Sequence, residues 1–194
     1  RGILRAAMRT AIDGLVALRA ALREEGGPVA GLLGDEIDCG DIDPELPGLA
    51  QRAAAGPCAR SREREYELLL EMILEGSRLH YGPQRVVQTD DRDLALLLGD
   101  QLYALGLSRL ATLEDIDAIK ELADVISLVA QAHADSDPEL ADAVWEAGAV
   151  AVGWGRSDAH AAAKELARVG DPAAAGALRR VAERATSRRP ERAS

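Results

Sequence analysis

The chain has no phenylalanine and only two tryptophans, three tyrosines and two cysteines in 194 residues. So few rings argue against a platform on which bases or sugars stack. Cys39 and Cys58 stand nineteen positions apart, without the spacing of a zinc knuckle or a redox CxxC pair. They read as free thiols of a reducing cytoplasm, with a disulfide as the open alternative. No apolar run approaches the roughly 20 residues that span a bilayer, and Asp100 interrupts the most hydrophobic stretch. The start, "RGILRAAMRT", has neither Met nor the apolar core of a signal peptide and reads as a trimmed N-terminus. Basic charge is also in deficit, 23 residues against 33 acidic ones for a net charge of -10. A field of that sign does not recruit nucleic acid or an anionic membrane over the whole surface, although a local basic patch could.

Short Ala, Leu and Val side chains at helical spacing dominate what is present. Leu4, Met8, Ala11, Leu15, Leu18 and Leu22 form one stripe over residues 3–24, ended by Gly26, Gly27 and Pro28. Residues 29–60 read as an irregular loop with one or two short helices. They include the cluster Asp35, Glu36, Asp38, Asp41, Asp43 and Glu45, which has no calcium-loop spacing. Helix resumes after Ser61, read as an N-cap, with Tyr66, Leu69, Leu70, Ile73 and Leu74 inward, and closes at Gly82-Pro83.

The segment "QTDDRDLALLLGDQLYALGLSRLA" predicts a helix capped by Thr89 and running to about Leu110. Apolar residues fall on every side of it, so the pattern predicts an enclosed central helix with Asp100 shielded from water. Gly99 and Gly106 lie on one side and imply close approach of another helix. Thr112 with Asp115 reads as a capping box for a helix whose inner face is Ile116, Ile119, Ala123, Ile126, Ala130 and His133. Asp137-Pro138, Ser157 and Asp171-Pro172 open three more helices, and "GWG" at 153–155 makes a tight junction. The expectation is an all-α, multi-helix bundle of seven or eight helices. A single domain spans 1–186 with its irregular acidic loop at 29–60, followed by a flexible basic tail at 187–194.

The candidate chemistry is sparse. His80, His133 and His160 form no HExxH, and no serine sits in a nucleophile elbow. Asp90, Asp91 and Asp93 are the candidate metal ligands, since carboxylates on a helix wall can hold magnesium on a diphosphate. Asp at a helix start also serves the helix dipole alone. Arg85 and Asp100 are the candidate substrate-binding residues, and Arg78, His80, Tyr81 and Arg85 could line an anion pocket. No residue qualifies as catalytic.

"LALLLGDQLYALGLSRLATLEDIDAIKELADVISLVAQAHAD", residues 94–135, resembles the "lxGDxLxxxa" helix and the following helix of the trans-prenyl diphosphate synthases. The similarity is centred on Gly99, Asp100, Leu102 and Tyr103, and is closest to the non-catalytic small subunit (component I) of two-component heptaprenyl diphosphate synthase. Catalytic members carry two DDxxD motifs that bind magnesium and the allylic diphosphate. Here "EYELLLEMILEGSRLHYG" stands where the first is expected, "DDRDL" ends in Leu94, and no second motif follows. The resemblance therefore implies a shortened prenyl synthase fold in the cytoplasm, no cofactor on this chain, and a DDxxD-bearing partner that supplies the magnesium site. A homo-oligomer is a further assembly left open. Two other functions stay open: a stand-alone magnesium-dependent enzyme on a prenyl diphosphate, and a helical structural or regulatory protein.

Overall fold

A computed structural model describes residues 9–40 and 42–187. Leu4, Met8, Asp41 and the basic tail at 188–194 lie outside the described residues. The rest is helical, with one isolated antiparallel bridge between Leu33 and Val87. Seven long helices carry the fold: α1 (Ala11–Glu25), α4 (Glu63–Tyr81), α5 (Arg92–Thr112), α6 (Ile116–Ala134), α7 (Pro138–Trp154), α8 (Asp158–Arg168) and α9 (Ala174–Ser187). Two short ones, α2 (Gly27–Ala30) and α3 (Leu49–Ala54), with a 3-10 turn at Pro57–Ala59, fall in or beside the stretch read as irregular. Among the described residues no helix is long and apolar enough to cross a membrane.

α4 and α7 are the two axes of the bundle. α1 and α5 pack on α4, α6 and α9 pack on α7, and α3 touches both axes. Two apolar clusters result. Leu15, Leu18 and Leu22 of α1 join Met72 and Leu79 of α4 and Leu98 and Leu102 of α5 in the smaller one. The predicted face of α4, from Tyr66 to Leu74, meets the alanine-rich surfaces of α3, α6, α7 and α9 in the larger one.

Glycine sets the spacing between α4 and α5. A Cβ placed on Gly99 would stand 2.6 Å from the His80 ring and 3.0 Å from the Gly76 carbonyl oxygen, and one on Gly106 would stand 2.5 Å from Ile73. These are separations real side chains do not tolerate, so the two glycines read in sequence as a close approach are one. The "GWG" junction is equally tight: Trp154 Nε1 donates to the Arg52 carbonyl at 3.1 Å.

Several helix starts differ from the sequence reading. Thr10, in extended backbone, caps α1 with Asp13 in a reciprocal box, so this helix starts at Ala11. Pro28 begins α2 rather than only stopping α1. Ser61 makes no cap, because its φ of 71° turns the chain and Arg62 occupies the N-cap position. Asp91, not Thr89, caps α5, its Oδ1 accepting from the backbone of Asp93 at 3.0 Å and Leu94 at 3.1 Å. Thr112 ends α5, and Asp115 caps α6 by itself. The Tyr66 hydroxyl donates to the other oxygen of Asp115, tying that cap to α4. Asp137 and Ser157 cap α7 and α8 as expected.

Two inner faces were also misjudged. The buried stripe of α6 is Ala118, Leu122, Val125, Val129 and Ala132, whereas Ile116 and Ala123 face outward. α5 is not enclosed: Ala95, Leu98, Gly99, Leu102, Gly106 and Leu110 are buried, while Leu97 is 66% exposed and Gln101, Ala104 and Ser108 are exposed with it. Asp100 stands on that outer face, its side chain 72% exposed.

Candidate functional site

α4 carries a dense series of polar side chains from Glu67 to Tyr81. Its "EYELLLEMILE" stretch repeats glutamate every four residues, which places Glu67, Glu71 and Glu75 on one side of the helix. All three are buried under α1, α3 and the α4–α5 connection. Burial of a carboxylate demands donors, and the surrounding elements supply them unevenly. Glu67 pairs with Arg9 Nε at 2.9 Å. Glu75 is fully inaccessible; its Oε1 accepts from the backbone of Arg85 at 3.0 Å, Val86 at 2.7 Å and Val87 at 3.1 Å. Its Oε2 faces Arg78 Nη1 at 3.2 Å. Glu71 Oε1 accepts from Gln51 Nε2 at 3.0 Å, but Oε2 has no hydrogen-bond partner and Arg78 stays 4.0 Å away. Desolvation therefore raises the Glu71 carboxyl above its ordinary range, against the pull of Arg78 and Gln51.

Past Arg78, rings take over. His80 stacks on Tyr103 of α5, with centroids 5.3 Å apart and planes inclined by 7°, and lies beside Tyr81 at 5.5 Å. Tyr81 stacks in turn on His133 of α6 at 4.3 Å. Asp100 Oδ1 approaches His80 Nε2 to 3.1 Å at one end of this series, without a hydrogen-bonding angle. Burial pushes the Tyr103 phenol up to about 12, so it stays protonated.

At the other end the series opens on a cleft of about 530 Å3 between α3, α4, α6 and α7. Leu49, Leu74 and Trp145 give it an apolar floor, and Arg52, Arg78, His133, Asp142 and Glu146 its polar rim. The two arginines of the rim are paired, Arg52 with Glu146 at 3.2 Å and Arg78 with the buried Glu75, and Asp142 stands exposed. Ser77 is held as the acceptor of Trp145 Nε1 at 3.2 Å. Nothing here activates a nucleophile or leaves a pair of carboxylates open to a metal. Its apolar floor and polar rim suit an apolar body with a polar end.

The sequence-derived candidates divide around this site. Asp100 belongs to it through His80. Arg85 serves the fold instead, donating through Nη1 to the Cys39 carbonyl at 2.8 Å and the Asp38 carbonyl at 3.2 Å, which pins the acidic loop. Arg19 adds a bond of 2.8 Å to the Asp35 carbonyl. Asp91 spends its carboxylate on the α5 cap, and Asp90 and Asp93 are exposed beside it. Among the described residues no three His, Cys, Asp or Glu side chains converge as a metal site. The acids around residue 90 therefore do not fit the magnesium cluster of a catalytic prenyl synthase. Cys39 and Cys58 are free thiols, and burial pushes the Cys58 thiol up.

Sequence reading missed the buried acids of α4, Arg52 and Trp145. The four-residue repeat of glutamates was visible, but a repeat on one face reads equally as a solvated stripe.

The fold and site thus define an all-α bundle with a buried acidic ladder and a binding cleft. No protein-family model, curated protein or solved structure matches the chain.

Proposed function

We propose that this chain is a non-catalytic subunit that completes a long-chain trans-prenyl diphosphate synthase together with a DDxxD-bearing partner. The observation that carries the proposal is the outer face of α5. This helix bears the family-like residues Gly99 to Tyr103, packs on α4 along one side only, and leaves Leu97, Gln101, Ala104 and Ser108 exposed on the other. An exposed leucine beside Ala104 and Ser108, with the Asp100 carboxylate at the edge of the same face, suits helix-on-helix association, because short side chains let backbones approach. Of the candidate metal ligands, Asp91 is engaged in capping α5, and Asp90 and Asp93 stand exposed beside it without a third carboxylate converging on them among the described residues, which favours a supporting role over autonomous prenyl transfer. In the complex this chain would supply wall and assembly contacts, and the partner the metal ligands.

The test is co-expression with the DDxxD-bearing chain of the same genome, followed by an isopentenyl-incorporation assay. Long-chain product that disappears when this chain is omitted supports the reading. Undiminished synthesis by the partner alone overturns it.

A further inference from the structure

A second cavity, of about 280 Å3, lies between α7, α8 and α9, away from the cleft and independent of the reading above. Val150 and Trp154 of α7 and Val181 and Ala185 of α9 give it apolar walls, and no Asp or Glu lines it. Its polar groups come from Arg156, Ser157, His160 and Arg184. α8 and α9 form an antiparallel hairpin about residue 171, so His160, eleven positions before that turn, lies level with Ala182, eleven positions after it. Arg184 is two residues further on, at the same end of the cavity.

His160 is 2% exposed, and its ring is anchored on one edge only. Nε2 meets Glu121 Oε1 of α6 at 2.7 Å, while the other carboxylate oxygen takes Lys164 Nζ at 2.8 Å, which also reaches Asp124 at 2.6 Å. Burial alone would raise the Glu121 carboxyl, but His160 and Lys164 outweigh it and hold it below its ordinary range. The carboxylate is thus ionised, and Nε2 carries a hydrogen. Nδ1, on the opposite edge of the ring, is buried with no hydrogen-bond partner. Such an atom costs free energy unless a partner arrives. Arg184 has no ion pair among the described residues, unlike Arg156 at the cavity mouth, which is paired with Asp117.

We infer that this cavity binds a small amphiphilic acid: an apolar body against Trp154 and Val181, with an acidic head between Arg184 and His160. A carboxylate or phosphate monoester satisfies both groups: one oxygen accepts from the guanidinium and one from Nδ1, which takes up a proton from solvent as the acid binds. The cavity of about 280 Å3 has room for a short alkyl chain carrying one acidic head, of which octanoate is a convenient probe.

The experiment is calorimetric titration of the whole chain with octanoate, hexyl phosphate and octanol, repeated on 15N-labelled protein to follow the imidazole nitrogens of its three histidines. The expected result is saturable binding of at least one of the two acids, a shift confined to His160, and at least tenfold weaker binding of octanol. Their relative affinities say which head group the site prefers. Arg184→Gln, a surface change, should weaken binding about tenfold, and Ala185→Phe, which fills the cavity from a half-buried position, should abolish it. Neither acid moving His160 at millimolar concentration, or binding unchanged in both variants, would overturn the inference.

Discussion

α4 and α5 lie side by side and invert what their sequences promise. α4 contains five glutamates between residues 63 and 75, yet it is an axis of the bundle with three of those glutamates buried. α5 shows leucine or alanine on every side, yet it sits at the edge with one flank open. Burial is decided by what neighbouring elements bring to a helix as well as by the helix's own composition. α4 is enclosed because Arg9, Gln51, Arg78 and the backbone of 85–87 arrive with donors. α5 remains open because, among the described residues, no further helix packs beyond it.

That contrast can be broken most severely at Glu75. Glu75→Ala would strand three backbone N–H groups and the Arg78 guanidinium inside the protein, and removal of one partner of a buried ionic network costs about 3–5 kcal/mol. Urea unfolding should show that loss, and Glu75→Gln, which keeps one oxygen as acceptor, should lose less. A cost below about 1 kcal/mol for the alanine variant would mean that the ladder is not structural.

The helix crossing comes next. Gly99→Ala ordinarily favours a helix by about 1 kcal/mol, but here the added methyl meets His80 and the Gly76 carbonyl. Overpacking should reverse the sign and destabilise by roughly 1–3 kcal/mol, measured by thermal unfolding.

Glu71 gives a smaller effect with a definite pH signature. Its carboxyl is raised in the folded state above the ordinary value of 4.5, so the folded protein binds the proton more tightly than the unfolded chain. Stability from this group is full below about 4.5 and falls as pH climbs from there through the raised folded value. Glu71→Gln should flatten that part of the stability profile and gain on the wild type towards neutral pH. An unchanged profile would show that Glu71 ionises without cost.

Leu97→Lys should have the least effect on folding, within about 0.5 kcal/mol, because the side chain already stands in water. Its effect should appear only in association.

The same comparison explains what could be read from the chain. The long helices, the inner face of α4, the starts of α7 and α8, and the close approach at Gly99 and Gly106 were legible because each follows from local rules of spacing, capping and side-chain size. The caps at Ser61, Thr89 and Thr112 failed where a neighbouring residue or a positive φ displaced the first suitable oxygen. α6 carries two parallel apolar stripes, and the choice between them depends on Glu121 reaching His160 and Lys164, forty residues on. Of the candidate site residues, Asp100 reached the ring series, whereas Arg85 serves loop carbonyls that sequence alone does not bring near it. The cleft itself is assembled from α3, α4, α6 and α7 and left no local trace.

The most direct measurement is sedimentation of this chain with the DDxxD-bearing chain proposed as its partner, comparing the wild type with a Leu97→Lys, Ala104→Lys double variant of verified stability. The account predicts a heteromeric complex for the wild type and separate chains for the double variant. Equal complex formation by both proteins, or none by either, would contradict it.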